Sequence, residues 1–554
     1  MLFEVDIMTA GNIWTRRRFL EAIGYAGGAS AVYRTLAAME LMPEPPPWKG
    51  PLDLPQGSGR GKTVLVLGSG IAGLAAAYEL MRAGFRCQVL EAQGHAGGRN
   101  FTVRRGTVVA EQSAEHGSTE QKCEFDDGHY INFGPGRIPY HHRRMLHYCG
   151  ELGVPLEIYV IQTTANLFHL KDAFGGQPQV RRRISNDADA YIGELLSKAV
   201  THGNLDQELD AGDKEKLLAL LTVFGDLQAG KPCPPGAHCP PRNSLCEDPA
   251  TVTDLCEPRT RLPITDLLRS QFWQHRFYSE DNYDYQPTLF QPIGGMDKIV
   301  EGFKRKVGHL IQYNCEVTNI RLLDDSVEVT CHDPRPGRKG HESMKRADYC
   351  LSNIPLPVLQ KIPANFSGDF KKAVDCGRFT PVCKVGWQAN QRFWESDKYQ
   401  IFGGLSLTDE IIREIWYPSH GFFQKSGVLL GAYMAGNDAL EFGKMSCDQR
   451  LSVARSIASK MHPEFADDSI VPPKLGVSIA WHNIPTQLGG FPGLGQDRTE
   501  ARKAYLRLLQ PDRRFYVIGD QVSPLTAWQE GALMSVEHVA KQITSQPVTT
   551  GKSN

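Results

Sequence analysis

The chain has 554 residues, enough for two or three packed domains rather than one small core. Its 61 basic and 62 acidic residues nearly cancel, and no basic stripe interleaved with aromatics appears, so a nucleic-acid partner is not expected. No apolar run is long enough to span a bilayer, so no membrane-spanning segment is expected either.

Residues 15–20 read Thr-Arg-Arg-Arg-Phe-Leu and precede a weakly apolar Gly/Ala-rich run over 22–32. This is similar to a twin-arginine export signal, although Glu21 follows the Phe-Leu pair and the run stops at Arg34. An amphipathic helix lying on the body of the protein fits the same residues. Localisation therefore stays open between export, to the periplasm or outside, and the cytoplasm. Residues 43–51 are proline-rich and read as a stiff linker.

Residues 62–99 follow, and the rest of the chain is organised around them. An apolar run over 64–67 reads as a buried strand, and Gly68, Gly70 and Gly73 have G-x-G-x-x-G spacing. A run of helix formers over 74–81, a second apolar run over 87–90 and then Glu91 complete a dinucleotide unit. Gly68 suits the tight turn, Gly70 the approach of a pyrophosphate, and Gly73 close helix packing. Ile71 and Ala72 open the helix whose free N–H groups attract the diphosphate. Glu91, followed by Ala92, suits a ribose hydroxyl pair and repels a 2′-phosphate. The motif alone does not choose between FAD and NAD.

Residues 106–128 are polar and read as a loop. In Gly134-Pro135-Gly136-Arg137-Ile138-Pro139, an arginine sits on a rigid turn, where its planar fork suits a carboxylate. A structural Arg–Asp pair is the other use of that residue. Residues 141–285 have a mostly helical pattern with Gly/Pro breaks. The acidic, tyrosine-rich run 278–285 reads as a polar loop, or as a counter-charge for a basic substrate side chain. Residues 311–331 alternate as strands, and strand-like runs rich in Val, Trp, Phe and Tyr over 375–485 make a second, mixed sheet.

Thirteen cysteines leave at least one thiol free in a monomer. Nine lie in apparent core segments, where reduced buried thiols are expected. Cys233, Cys239, Cys246 and Cys256 cluster in a proline-rich stretch whose gaps do not match paired zinc ligands, so no metal is expected. In an exported protein they would staple a loop.

The run from Gly68 through Gly97-Gly98-Arg99, the Gly134-Pro135-Gly136-Arg137 turn, Gln291-Pro292-Ile293-Gly294-Gly295-Met296, and Gly519-Asp520 with Ala527-Trp528-Gln529-Glu530-Gly531-Ala532 together resemble the flavin-containing amine oxidases. Within them the L-amino-acid oxidases are the nearest pattern. The resemblance covers about 60–545 and is weakest over 141–285. It implies an α/β fold: a Rossmann-like, GR2-type FAD-binding domain, a mixed-sheet substrate domain and a helical insertion. The implied boundaries are an N-terminal segment 1–61, FAD-binding parts 62–138, 288–352 and 490–545, a helical domain 139–287, a substrate-binding domain 353–489 and a tail 546–554.

The resemblance also implies residue roles. Arg99 reaches the FAD pyrophosphate, Val317 clasps the adenine, and Gly519 and Asp520 serve the ribityl chain. Gly98, Gly134, Pro135, Gly136, Arg137, Ala527 and Trp528 line the cofactor, and Ala527 also meets the substrate. Arg137 and Tyr417 hold a substrate carboxylate, and Trp528 walls the substrate. Lys384 holds a water near flavin N5. Phe491 stands where monoamine oxidases carry their flavin-linked cysteine, so FAD is expected to be non-covalent. The implied partners are an L-amino acid and molecular oxygen, in a homodimer. The implied products are a 2-oxo acid, ammonia and hydrogen peroxide. Oxidation of a polyamine or monoamine, amino-acid monooxygenation, and flavin binding without turnover are the alternatives.

Overall fold

In the computed structural model, the structure describes residues 48–225, 227, 252–253, 260–274, 282–335, 342–493 and 498–545. The twin-arginine segment, most of the proline-rich linker, the four clustered cysteines, residues 278–281 and the tail 546–554 lie outside the described residues.

The glycine-centred unit folds as β1 (Thr63–Leu67), α1 (Ile71–Arg82) and β2 (Arg86–Leu90). The four residues after Thr63 are buried, as the unbroken apolar run demands of a strand covered on both faces. Leu74, Ala75, Ala76 and Ala77 are fully buried, and their small side chains let α1 lie close to the sheet. β3 (Ile311–Gln312), β4 (Tyr349–Ser352) and β5 (Phe515–Val517) come from later in the chain. All five strands run parallel in the order β3-β2-β1-β4-β5. A C-terminal helix, α2 (Gln529–Thr544), packs on α1. The sheet is therefore the Rossmann-like one expected, with β1 at its centre and the glycine turn at the carboxyl ends of the strands.

The second sheet is mixed and has seven strands: Gln179–Val180, Leu167–His169, Leu405–Thr408, Glu414–Trp416, Gly427–Ala435, Val382–Ala389 and Gly476–Ala480, in that order. Its first two strands come from residues expected to be helical. Leu156–Tyr159 is also a strand, paired with Leu289–Pro292. The helix Arg143–Glu151 precedes these strands, and Arg181–Thr201, Ala211–Phe224 and Ile264–Ser270 follow them.

Two more expectations are corrected. Residues 106–128 are not a loop but contain a hairpin, Val108–Ser113 paired with Gly117–Lys122. Its polar sequence hides a tertiary reason: Glu111 is buried and makes a two-pronged ion pair with Arg450, while also accepting from the Ala480 amide. Of the nine cysteines expected as buried thiols, Cys315 and Cys331 form a disulfide across the Glu316–Leu322 and Val327–His332 hairpin. The other seven are free.

Candidate active site

A continuous cavity of about 970 Å³ runs from the glycine turn to the face of the second sheet. Every expected site residue lines it except Gly73 and Gly519. Gly73 acts from behind the wall: a Cβ there would lie 2.0 Å from the Gly68 carbonyl oxygen, so only glycine lets α1 start this close to β1. Gly68 itself has φ +93°, a backbone region that side chains disfavour.

The dinucleotide half is rigid. Glu91 is buried and accepts hydrogen bonds from the Ser69 amide (2.7 Å), the Ser69 hydroxyl (2.6 Å) and the Gln93 amide (2.9 Å). Arg99 and Asp520, expected on different parts of the cofactor, pair with each other through two hydrogen bonds of 2.5 and 3.1 Å. Arg99 also donates to the Gly490 carbonyl, and Asp520 also accepts from the Ala527 amide. Val317 lines the same cavity beside Cys315. These residues fit FAD. The glycine turn and the start of α1 would take the diphosphate, Glu91 the ribose, and the Arg99–Asp520 pair the pyrophosphate and ribityl groups. Cys315 is the single cysteine of the lining among the described residues, and it is in the disulfide, while Phe491 is also in the wall. Among the described residues, no free thiol lines the cavity.

The other half of the cavity is built from the 134–136 turn and the second sheet. Lys384 donates to the Gly134 carbonyl (2.7 Å) and Trp481 to the Phe133 carbonyl (2.9 Å), which braces the turn from below. Arg137 follows and faces three rings, with its guanidinium carbon 5.0 Å from Tyr285, 5.3 Å from Trp416 and 5.2 Å from Trp528. All three distances are in the cation–π range of about 6 Å. Trp528 is held edge-on by His142 at 4.9 Å, and burial keeps that imidazole neutral, its pKa pulled down to about 3. Burial and the nearby Arg137 charge bring the Lys384 ammonium down to about 7, with Glu414 pulling the other way.

Tyr417 is a correction. The residue borders the cavity, but its hydroxyl is committed to Ser406 (2.8 Å) and His462 (2.5 Å) inside the core of the second sheet. Strand residues alternate between faces, so a shift of one position exchanges core for cavity. Trp416, one residue earlier, is the one that faces Arg137. Tyr159 and Tyr433 were passed over; with Tyr285 from the acidic run, their hydroxyls are shifted upward by burial and their titration feels the Arg137 charge. Alternation along 414–417 was the available signal for Trp416. Nothing local marks Tyr159, which pairs with Leu289 in one sheet with the Ile138–Pro139 strand and so arrives beside Arg137. Residues 282–288 are turn and loop as expected, and Asp284 and Tyr285 at the end of the acidic, tyrosine-rich run line the cavity.

Comparison with known proteins agrees with this geometry. The chain is 28% identical over 500 residues to the flavin-dependent L-tryptophan oxidase RebO of Lentzea aerocolonigenes, covering 86% of this chain and 96% of that protein. It is 24% identical over 510 residues to an L-amino-acid oxidase of Echis ocellatus, covering 87% and 89%. Putrescine oxidase with putrescine bound shares the fold, with a TM-score of 0.54 at 12% identity over 88% of this chain and 99% of that one. The family model described as flavin containing amine oxidoreductase matches residues 71–230 and 264–544. The chain belongs to the flavin-containing amine oxidoreductase family, and its cofactor is a flavin.

Proposed function

We propose that the protein oxidises L-amino acids, giving a 2-oxo acid, ammonia and hydrogen peroxide. The observation that carries this reading is the setting of Arg137, a guanidinium in an aromatic chamber that is continuous with the dinucleotide cradle. A guanidinium there offers a substrate carboxylate charge-assisted, two-pronged hydrogen bonds that an uncharged group cannot accept in the same way. That preference argues against amines lacking a carboxylate. The names of the amino-acid-oxidising relatives support it.

FAD held by the cradle would supply the acceptor for a hydride from the substrate α-carbon, with oxygen as the final two-electron acceptor. The chain supplies position and field. Arg137, with the Tyr285 hydroxyl beside it, holds the carboxylate and turns the α-carbon toward the cofactor half of the cavity. The Trp528 wall lowers the local dielectric around the substrate amine and favours its neutral form, whose lone pair drives hydride departure. Lys384, poised near neutrality, holds a water or a proton at Nζ beside the same space. The Cys315–Cys331 disulfide favours an oxidising compartment and so supports export.

The test is anaerobic mixing of the yellow enzyme with L-leucine and L-arginine and, separately, with their decarboxylated amines. The amino acids are expected to bleach the flavin band, with the amines slower by about 100-fold or more. Faster bleaching by the amines overturns the reading, and no bleaching by any of them favours a flavoprotein without this turnover.

A further inference from the structure

Glu414 and Trp416 lie on one face of their strand, because alternate residues point the same way. Ile415, between them, is fully buried in the core behind the sheet, where Tyr417 also goes. Trp416 forms part of the cavity wall instead. Its indole Nε1 donates to Glu414 Oε2 at 2.6 Å. The same indole lies 5.3 Å from the Arg137 guanidinium and edge-on to the Tyr433 ring at 5.8 Å. Lys384 Nζ rests 5.0 Å from the centre of that Tyr433 ring. One carboxylate thus anchors the ring on which the substrate-facing cation leans.

We propose that Glu414 is a positioning residue for substrate carboxylate binding: its hydrogen bond locks the Trp416 indole as the wall that aims Arg137. This rests on the oxidase reading above. The physical case has two parts. The Trp416 indole is buried in an apolar cluster at the cavity wall, and its hydrogen bond to a carboxylate, stronger than one to a neutral acceptor, fixes which way its N–H edge points. A guanidinium held over aromatic faces moves when a face moves, and a small misplacement of a binding group costs a large factor in rate or affinity. Glu414 does not line the cavity itself, so it acts through the indole rather than on substrate.

The experiment measures benzoate affinity by perturbation of the flavin spectrum, together with kcat and KM for L-leucine, in purified holoenzyme. Glu414→Leu is expected to raise the benzoate Kd and the KM by about tenfold while kcat stays within about twofold. Glu414→Gln, which keeps an acceptor oxygen, is expected to stay within about threefold of the wild type. Trp416→Phe is expected to match Glu414→Leu, and the double variant to be no weaker than Trp416→Phe alone. Multiplied losses in the double variant, or Glu414→Gln as weak as Glu414→Leu, overturn the proposal. A selective loss of basic amino acids in Glu414→Gln also overturns it, by making Glu414 a reader of substrate charge. If Glu414→Leu loses its flavin, Trp416→Phe alone decides, because unchanged benzoate binding there removes the indole from the argument. A wild type that binds benzoate yet oxidises no L-amino acid defeats the oxidase reading and leaves the Glu414 arms readable.

Discussion

An amine withdrawn from water gives up its proton more easily, and Lys384 is such an amine. Burial is the main cause, the positive Arg137 adds to it, and Glu414 opposes it, leaving the group near 7. Below that pH Nζ is charged; above it, it is neutral. The rate of flavin reduction by an L-amino acid should therefore rise with pH across a limb near 7. Lys384→Met should lose that limb and slow by about tenfold or more, within the range that positioned acid–base groups contribute. Stopped-flow reduction from about pH 5.5 to 9 reads both. A limb that survives in the variant assigns the titration to another group.

At the scale of elements, the close start of α1 against β1 depends on one absent methyl group. Gly73→Ala should give a protein that purifies with little flavin and unfolds at lower temperature, because its Cβ would collide with the Gly68 carbonyl. The flavin-to-protein absorbance ratio and a thermal melt check this; a full complement of FAD contradicts it. The same element shows what was legible in the sequence. A fully buried strand, a glycine turn and an alanine-rich helix carry their signal locally, so β1, α1 and β2 stand where their residues place them. The strand Glu414–Trp416 does not carry its register in that way. Alternation separates Trp416 from Ile415 and Tyr417, but Glu, Ile, Trp and Tyr suit either face, and packing on the core decides that Ile415 and Tyr417 go inside and Trp416 to the cavity. The hairpin Val108–Ser113 and Gly117–Lys122 was equally hidden, because the partner that makes Glu111 worth burying is Arg450, far along the chain.

At the scale of the whole molecule, the site exists only because distant stretches converge. β1 and β2, then β3 and β4, then β5 and α2 build the cradle, while the 134–136 turn and the second sheet bring Arg137, Trp416 and Lys384 to the same cavity. The cradle and the carboxylate chamber are separable in principle, and the account depends on that separation. Steady-state kinetics of Arg137→Ala with an L-amino acid, paired with the flavin absorbance of the same sample, test it most directly. The account predicts a KM raised by about 100-fold or more with FAD fully retained, since removing one partner of a desolvated charge pair costs a few kcal/mol in binding, about 2–5. Loss of the flavin, or an unchanged KM, contradicts it.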